Sequence, residues 1–257
     1  MSLFQMRCFS KTLNMATEIS IILPLPRDVQ AEASDLPVLY LLHGMGDDDT
    51  SWMRKTSIER YALEHRIAVV MPDGVLSCYE NMVHGAHYRD YIAMELPQII
   101  QTNFPVSRDR ERNFIAGCSM GGCGALKLAM AYPEKWSRVG CFSASHLEYR
   151  PDSPRNQAMI RRAFGDQLQK RDAEIIQDIQ SANAGSLPLN VQLYWGDHDI
   201  LREHAQLCRD HFESLPEGSI HCEWKMLPGS HDWALWDACI RQYLLSLELP
   251  KPEVQLF

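Results

Sequence analysis

The chain has 257 residues, 46% of them hydrophobic, 23% charged and 9% aromatic, which is the composition of an ordinary globular protein and excludes a disordered chain, a collagen or a coiled coil. Lys plus Arg at 25 against Asp plus Glu at 33 leaves a net charge of −8, so a phosphate backbone or an anionic membrane is repelled. A chain of this length can bury one large core, and one domain over residues 1–257 is expected.

The first strands are predicted at Met6 to Leu13 and Ala16 to Leu23, an antiparallel pair about a turn at Asn14 that Pro24 and Pro26 end. Strands follow at Pro37 to Leu42, Ile67 to Met71, Asn113 to Ala116, Val139 to Ser143, Val191 to Trp195 and Cys222 to Leu227. Most are continuous apolar runs, the pattern of strands buried on both faces of a parallel sheet. Helices are expected between them at Ile58 to Glu64, Arg89 to Asn103, Gly122 to Tyr132, Arg202 to Leu215 and Trp233 to Leu247. In the last, Trp236, Ile240, Tyr243, Leu244 and Leu247 form one buried stripe, and Pro97 starts or kinks the second. This alternation is an α/β fold, with ligands at the C-terminal ends of the strands. The interval 146–186 exceeds a normal connection, holds a helix-like piece at Gln157 to Phe164, and is a candidate lid.

No run approaches the ~18 apolar residues of a membrane span, and no signal-peptide pattern opens the chain. The basic stretches at Arg108 to Arg112 and Arg161 to Arg162 are short or broken by acids and read as solvated faces. Eight cysteines, scattered without a CxxC pair, read as reduced thiols acting as small hydrophobes. The expectation is a cytoplasmic protein with neither nucleic acid nor membrane as partner.

Chemistry is concentrated in four loops. Gly117-Cys118-Ser119-Met120-Gly121 is a GxSxG motif between a strand and a helix, where a strained turn projects the serine hydroxyl from the sheet top. The strand before His43-Gly44-Met45-Gly46-Asp47 ends in a loop suited to a second oxyanion donor, which assigns the two donors to the N–H groups of Met45 and Met120 and a loop-holding role to His43. A serine nucleophile needs a base and an orienting carboxylate, in the chain order Ser, acid, His. Gly196-Asp197-His198-Asp199 and Ser230-His231-Asp232 supply them, with Asp199 preferred to Asp197 because in such GxxD loops the carboxylate sits three residues after the glycine. His84 and His87 form an HxxH that, even with Asp90, lacks the ligand set of a metal site, so lining of a cleft is the preferred reading and neither metal nor organic cofactor is expected.

The sequence resembles the esterase D and S-formylglutathione hydrolase group of α/β-hydrolases, and within it bacterial tributyrin esterases. The resemblance spans LLHGMGDDDTSWMRKTSIER, VVMPDG, CYENMVHGAHY, MELPQIIQTNFPVSRDRERNFIAGCSMGG, WGDHDIL and PGSHDWALWD, roughly residues 1–250. It implies an α/β-hydrolase fold with a mostly parallel sheet, Ser119 as nucleophile, Asp199 as acid, His231 as base, and Met45 and Met120 as oxyanion donors. It implies a small-molecule ester with a short acyl chain, acetyl or butyryl, on a small alcohol or sugar, with aryl esters and thioesters such as S-formylglutathione close behind. Only the resemblance points to a homo-oligomer. Cys118 and Cys123 depart from the Leu and Tyr common in relatives, and the smaller Cys123 predicts extra room near the acyl group.

Trp52, Tyr79, His84, His87 and Trp233 are candidate cleft residues, with core packing an equal alternative for the aromatics. The expected activity is carboxylic ester hydrolysis through an acyl-enzyme. An acyltransferase or a thioesterase could use the same triad, and an inactive binding module would keep the fold without the chemistry. The C-terminal PKPEVQLF reads as a tail.

Overall fold

A computed structural model describes residues 1–24, 35–146 and 154–249. Their organising element is one eight-stranded sheet of order β1-β2-β4-β3-β5-β6-β7-β8. Strands β1 (Ser2–Ser10) and β2 (Met15–Leu23) form an antiparallel hairpin whose turn carries Asn14 at φ 56°. The hairpin begins four residues earlier than predicted. Its first strand turns several side chains to solvent, so polarity there hides the pattern.

Strand β3 (Val38–Leu42) leads through α1 (Ser51–Lys55) and α2 (Ile58–Glu64) to β4 (Ala68–Pro72). A helical stretch follows as α3 (Tyr88–Asp90), a π-helical turn at Tyr91–Glu95 and α4 (Leu96–Asn103). Pro97 stands in the first turn of α4, directly after the π turn, in which the Leu96 N–H reaches back to the Tyr91 carbonyl. Proline cannot donate to the helix and its ring crowds the carbonyl four residues back; the wider turn takes up both problems without ending the helix.

Strand β5 (Asn113–Cys118) passes into α5 (Met120–Ala131) through Ser119 alone. Strand β6 (Arg138–Phe142) follows, then α6 (Pro154–Phe164), α7 (Leu168–Ala184), β7 (Leu189–Gly196), α8 (Arg202–Ser214), β8 (Ile220–Leu227) and α9 (Trp233–Ser246). From β4 to β8 all neighbouring strands are parallel.

Alternation along the strands divides the core into two layers. Val38, Tyr40 and Leu42 of β3 pack on the face covered by α4, α5, α7 and α8, whereas Leu39 and Leu41 pack on the face covered by α2 and α9. The predicted α9 stripe of Trp236, Ile240, Tyr243, Leu244 and Leu247 is buried as a whole. Strand β8 departs from expectation: Glu223 to Met226 are exposed, because β8 is the last strand and has a neighbour on one side only.

In the proposed lid, Ile175, Ile179 and Ala182 of α7 join the core at helical spacing, and Ala163 and Phe164 of α6 pack on Cys78. A buried ion cluster ties this segment down. Glu80 lies 3.0 Å from the Lys127 ammonium of α5 and 3.1 Å from the Arg171 guanidinium of α7. All eight cysteines are free thiols, six of them buried. Among the described residues no helix is long and apolar enough to cross a membrane. The tail at 250–257 lies outside the described residues, as does 147–153 of the lid segment.

Candidate active site

The ends of β3, β5, β6, β7 and β8 converge on one edge of the sheet, and the chain order reverses between β3 and β5, where an α/β sheet opens a crevice. Ser119 occupies this point with φ 52° and ψ −120°, a conformation that a non-glycine residue holds only when its surroundings fix it. The fixing contacts are its own N–H, which donates to the Phe142 carbonyl at 2.8 Å, and its carbonyl, which accepts the Cys123 N–H at 3.0 Å. Gly121 allows the sharp exit: a Cβ there would stand 2.5 Å from the Leu42 carbonyl oxygen. The helix therefore starts at Met120, two residues before the predicted Gly122, since glycine masks helical pattern while providing this close approach.

His231 stands between the serine and an acid. Its Nε2 is 3.0 Å from Ser119 Oγ and its Nδ1 is 2.9 Å from Asp199 Oδ1. A carboxylate only accepts, so Nδ1 carries the proton and Nε2 is left to accept the Ser119 hydroxyl. The Asp199 side chain is fully buried. Burial alone would raise its pKa, but hydrogen bonds from His231, Ser143 and the Leu201 N–H outweigh it and hold the carboxyl below its ordinary range. An edge-on Trp236 ring, 5.1 Å away, packs against the imidazole.

Asp197, the alternative acid, does something else. Its Oδ1 accepts the Gly229 N–H at 2.9 Å and lies 2.8 Å from His198 Nδ1, so it clasps the β7 loop to the β8 loop. The two loops meet so closely that a Cβ on Gly196 would stand 2.2 Å from the Gly229 carbonyl oxygen. Sequence reasoning missed Ser143, at φ 53° beyond β6, whose hydroxyl accepts the Trp236 indole N–H at 3.0 Å. Its only signal was its place at the end of a predicted strand.

The loop that carries Met45 is built around a buried histidine. The Gly74 N–H donates to His43 Nε2 at 2.8 Å, which leaves the proton on Nδ1 to donate to the Gly44 carbonyl, also at 2.8 Å. This is the loop-holding role expected of His43. Gly44 lies against Cys118, where an added Cβ would stand 3.5 Å from its carbonyl oxygen and its sulfur. Met120 is the first residue of α5, so its N–H is one of the helix donors without an intrahelical acceptor.

The proposed cleft residues separate into three kinds. Trp52 and Tyr79 do not line a cleft: they are 0% and 1% exposed, and their polar ends donate to the Leu42 carbonyl at 3.1 Å and the His43 carbonyl at 2.9 Å. Their rings are too apolar to leave in water once these two donors are satisfied inside. His84 and His87 are exposed, and among the described residues no three His, Cys, Asp or Glu side chains are grouped to hold a metal ion. Trp233 is half-buried two residues after His231, edge-on to both Trp52 and Trp236, with the Lys55 ammonium over its ring.

Comparison with known proteins places the chain in a family. The chain is 31% identical to FphF, a fluorophosphonate-binding serine hydrolase of Staphylococcus aureus, with a TM-score of 0.81 over 96% of this chain and 98% of that one. It is 29% identical to the S-formylglutathione hydrolase FrmB of the same organism, with a TM-score of 0.78 over 96% and 98%. An acetyl esterase of Caldicellulosiruptor saccharolyticus is 28% identical over 260 residues, 93% of this chain and 96% of that protein. Residues 10–247 match the Esterase family, and the chain belongs to it: a carboxylic ester hydrolase of the α/β-hydrolase fold in the esterase D and FrmB-like group.

Proposed function

We propose that the chain hydrolyses short-chain acyl esters, acetyl to butyryl, through an acyl-enzyme on Ser119. The observation that carries this is the hydrogen-bonded series Ser119, His231, Asp199, at 3.0 and 2.9 Å, on a serine held at positive φ. His231 Nε2 takes the Ser119 proton as Oγ attacks the ester carbonyl carbon, and the imidazolium then protonates the departing alkoxide. Asp199 keeps the proton on Nδ1 and offsets the imidazolium charge. The Met45 and Met120 N–H groups stabilise the oxyanion of the tetrahedral intermediate, an effect of ~3 kcal/mol for a single donor. Water, deprotonated by His231, then attacks the acyl-enzyme and releases the acid and Ser119. These steps need no cofactor.

The acyl range rests on the resemblance to tributyrin esterases and on the likeness to an acetyl esterase. A thioesterase reading is favoured second by the likeness to FrmB, since the same acyl-enzyme forms from a thioester. The segment 146–186 is read as the lid of a single domain, its tether to α5 and to the loop at Glu80 setting the height of the cleft.

Stopped-flow hydrolysis of p-nitrophenyl acetate, butyrate and octanoate, beside S-formylglutathione, tests the reading, with Ser119→Ala as control and mass spectrometry after a fluorophosphonate. Turnover that falls from butyrate to octanoate, vanishes in Ser119→Ala and coincides with a label on Ser119 is expected. A folded wild type that neither turns over nor labels would sink the proposal, and a large preference for S-formylglutathione would replace it with the thioesterase.

A further inference from the structure

Strand β8 is an edge that carries few of the features by which proteins protect one. It pairs with β7 without interruption, from Leu189 opposite Ile220 to Gly196 opposite Leu227, and contains no proline and no bulge. The carbonyls of Ser219 and Leu227 point inward, accepting the N–H groups of Leu189 and Asp197 at 2.8 and 2.9 Å. Peptide direction alternates along a strand, so the odd-numbered residues face β7, while Cys222, Trp224 and Met226 turn both N–H and C=O outward. Among the described residues nothing pairs with this outer row. An unpaired row of this kind is a template for another strand, and exposed apolar side chains add to it: Trp224 is 46% and Met226 50% exposed.

The charges on the strand choose the partner. We propose that β8 pairs antiparallel with β8 of a second copy of this chain, about a two-fold axis through Trp224. Outward-facing residues must then pair with outward-facing residues, which limits the two-fold registers to a few. Centred on Trp224, Glu223 of each copy stands opposite Lys225 of the other, Cys222 stands opposite Met226, and the Trp224 indoles face each other. Centred one residue earlier, Glu223 faces Glu223; one residue later, Lys225 faces Lys225. Like charges directly opposed destabilise a sheet and opposite ones support it, so the pattern Glu-Trp-Lys is self-complementary in one register and repulsive in both neighbouring ones.

Side-chain packing is already suited to this. The Trp224 ring is stacked on Trp195 at 5.4 Å with an interplanar angle of 18°, the Arg209 guanidinium lies over it at 5.1 Å, and its indole N–H donates to Glu213 at 3.0 Å, so the indole is held in place with its edge toward the open side of the strand. On the other side of the sheet Leu245 of α9, 49% exposed, adjoins Glu223 and Lys225 and would be covered by the same pairing. The dimer would continue one sheet across two copies, with symmetry closing the interface on itself.

Sedimentation of the full chain across about 1 to 100 μM is the test, and a dimer is expected. Lys225→Glu sets glutamate against glutamate and should weaken dimerisation roughly tenfold or more. Adding Glu223→Lys restores opposite charges between copies and should restore the dimer. In a Cys222→Ser background, Trp224→Cys should form an intermolecular disulfide on oxidation, because a hydrogen-bonded antiparallel pair holds its Cα atoms ~5.5 Å apart. A wild type that stays monomeric, a dimer indifferent to Lys225→Glu, or a folded double-charge variant that remains monomeric would each overturn the proposal. Circular dichroism of every variant separates loss of pairing from loss of folding.

Discussion

The Tyr79 hydroxyl donates to the His43 carbonyl at 2.9 Å, and with the Gly74 N–H on His43 Nε2 this bond joins the loop after β4 to the segment that carries Met45. Both residues are buried, so neither atom can turn to water instead. Tyr79→Phe leaves the His43 carbonyl unsatisfied at a cost of about 1 to 3 kcal/mol. The proposed oxyanion loop should lose order along with stability. The expected outcome is a kcat against p-nitrophenyl acetate reduced several-fold with KM little changed, beside a lowered Tm. A variant of wild-type kcat would detach this bond from the chemistry.

Two aspartates two residues apart should behave differently. Asp199→Asn removes the acceptor that fixes the His231 tautomer and should lower kcat by ~10³ to 10⁴. The carboxylate of Asp197 reaches Gly229 and His198 rather than His231, so Asp197→Asn should change kcat by no more than about tenfold, since a neutral amide oxygen still accepts the Gly229 N–H. Steady-state kinetics of the pair, with fluorophosphonate labelling rates, reads the contrast directly. Equal losses would assign the orienting role to the loop as a whole.

Glu80 is 4% exposed and answers two cations from different helices. Burial would raise its pKa, and the Lys127 and Arg171 charges reverse the sign and hold it below the ordinary carboxylate range. Glu80→Gln leaves two buried cations facing a neutral group, which costs about 3 to 5 kcal/mol. Urea unfolding should show that loss, and because the cluster anchors α7, limited proteolysis should cut first between α5 and β7.

His146 supplies a pH dependence away from the triad. It is 3% exposed, its Nε2 lies 2.8 Å from His211 Nδ1 and its Nδ1 lies 3.1 Å from Cys208 Sγ. Burial, with a contribution from His211, lowers its pKa from 6.5 to about 3. The unfolded chain therefore binds a proton that the folded chain refuses between these two values, and stability falls as pH drops through that window. The slope approaches about 1.4 kcal/mol per pH unit well below 6.5. Denaturant titrations at pH 7.5, 6 and 5 should show the decline, and His146→Phe should flatten it.

Some of this architecture is legible in the sequence because its cause is local. Val38–Leu42 is apolar throughout and is buried throughout, and Asn14, a residue tolerant of positive φ, marks the turn it makes. The loops of Met45 and Ser119 follow strands whose apolar runs announce their ends. Other features depend on partners far along the chain. Nothing in the sequence near Trp52 or Tyr79 shows that their polar ends meet the Leu42 and His43 carbonyls, 10 and 36 residues away, so the sequence leaves cleft and core equally open where the structure makes both buried supports. Ser143 is equally silent, since its role arises from Trp236, 93 residues on. The exposure of Trp224 and Met226 follows from the rank of β8 in the sheet order, which the residues themselves do not encode.

The loops that carry Ser119, Asp199 and His231 also differ in length. Between β5 and α5 the chain has the single residue Ser119, whereas five residues separate β7 from α8 and five separate β8 from α9. The serine thus has no slack, while the other two loops have some and are clasped to each other through Asp197 and Gly229. On the proposed mechanism Asp199 and His231 should therefore move as a pair against Ser119, so heating should stretch the reach from His231 to Ser119 before the one from Asp199 to His231, and activity should fade before the fold melts.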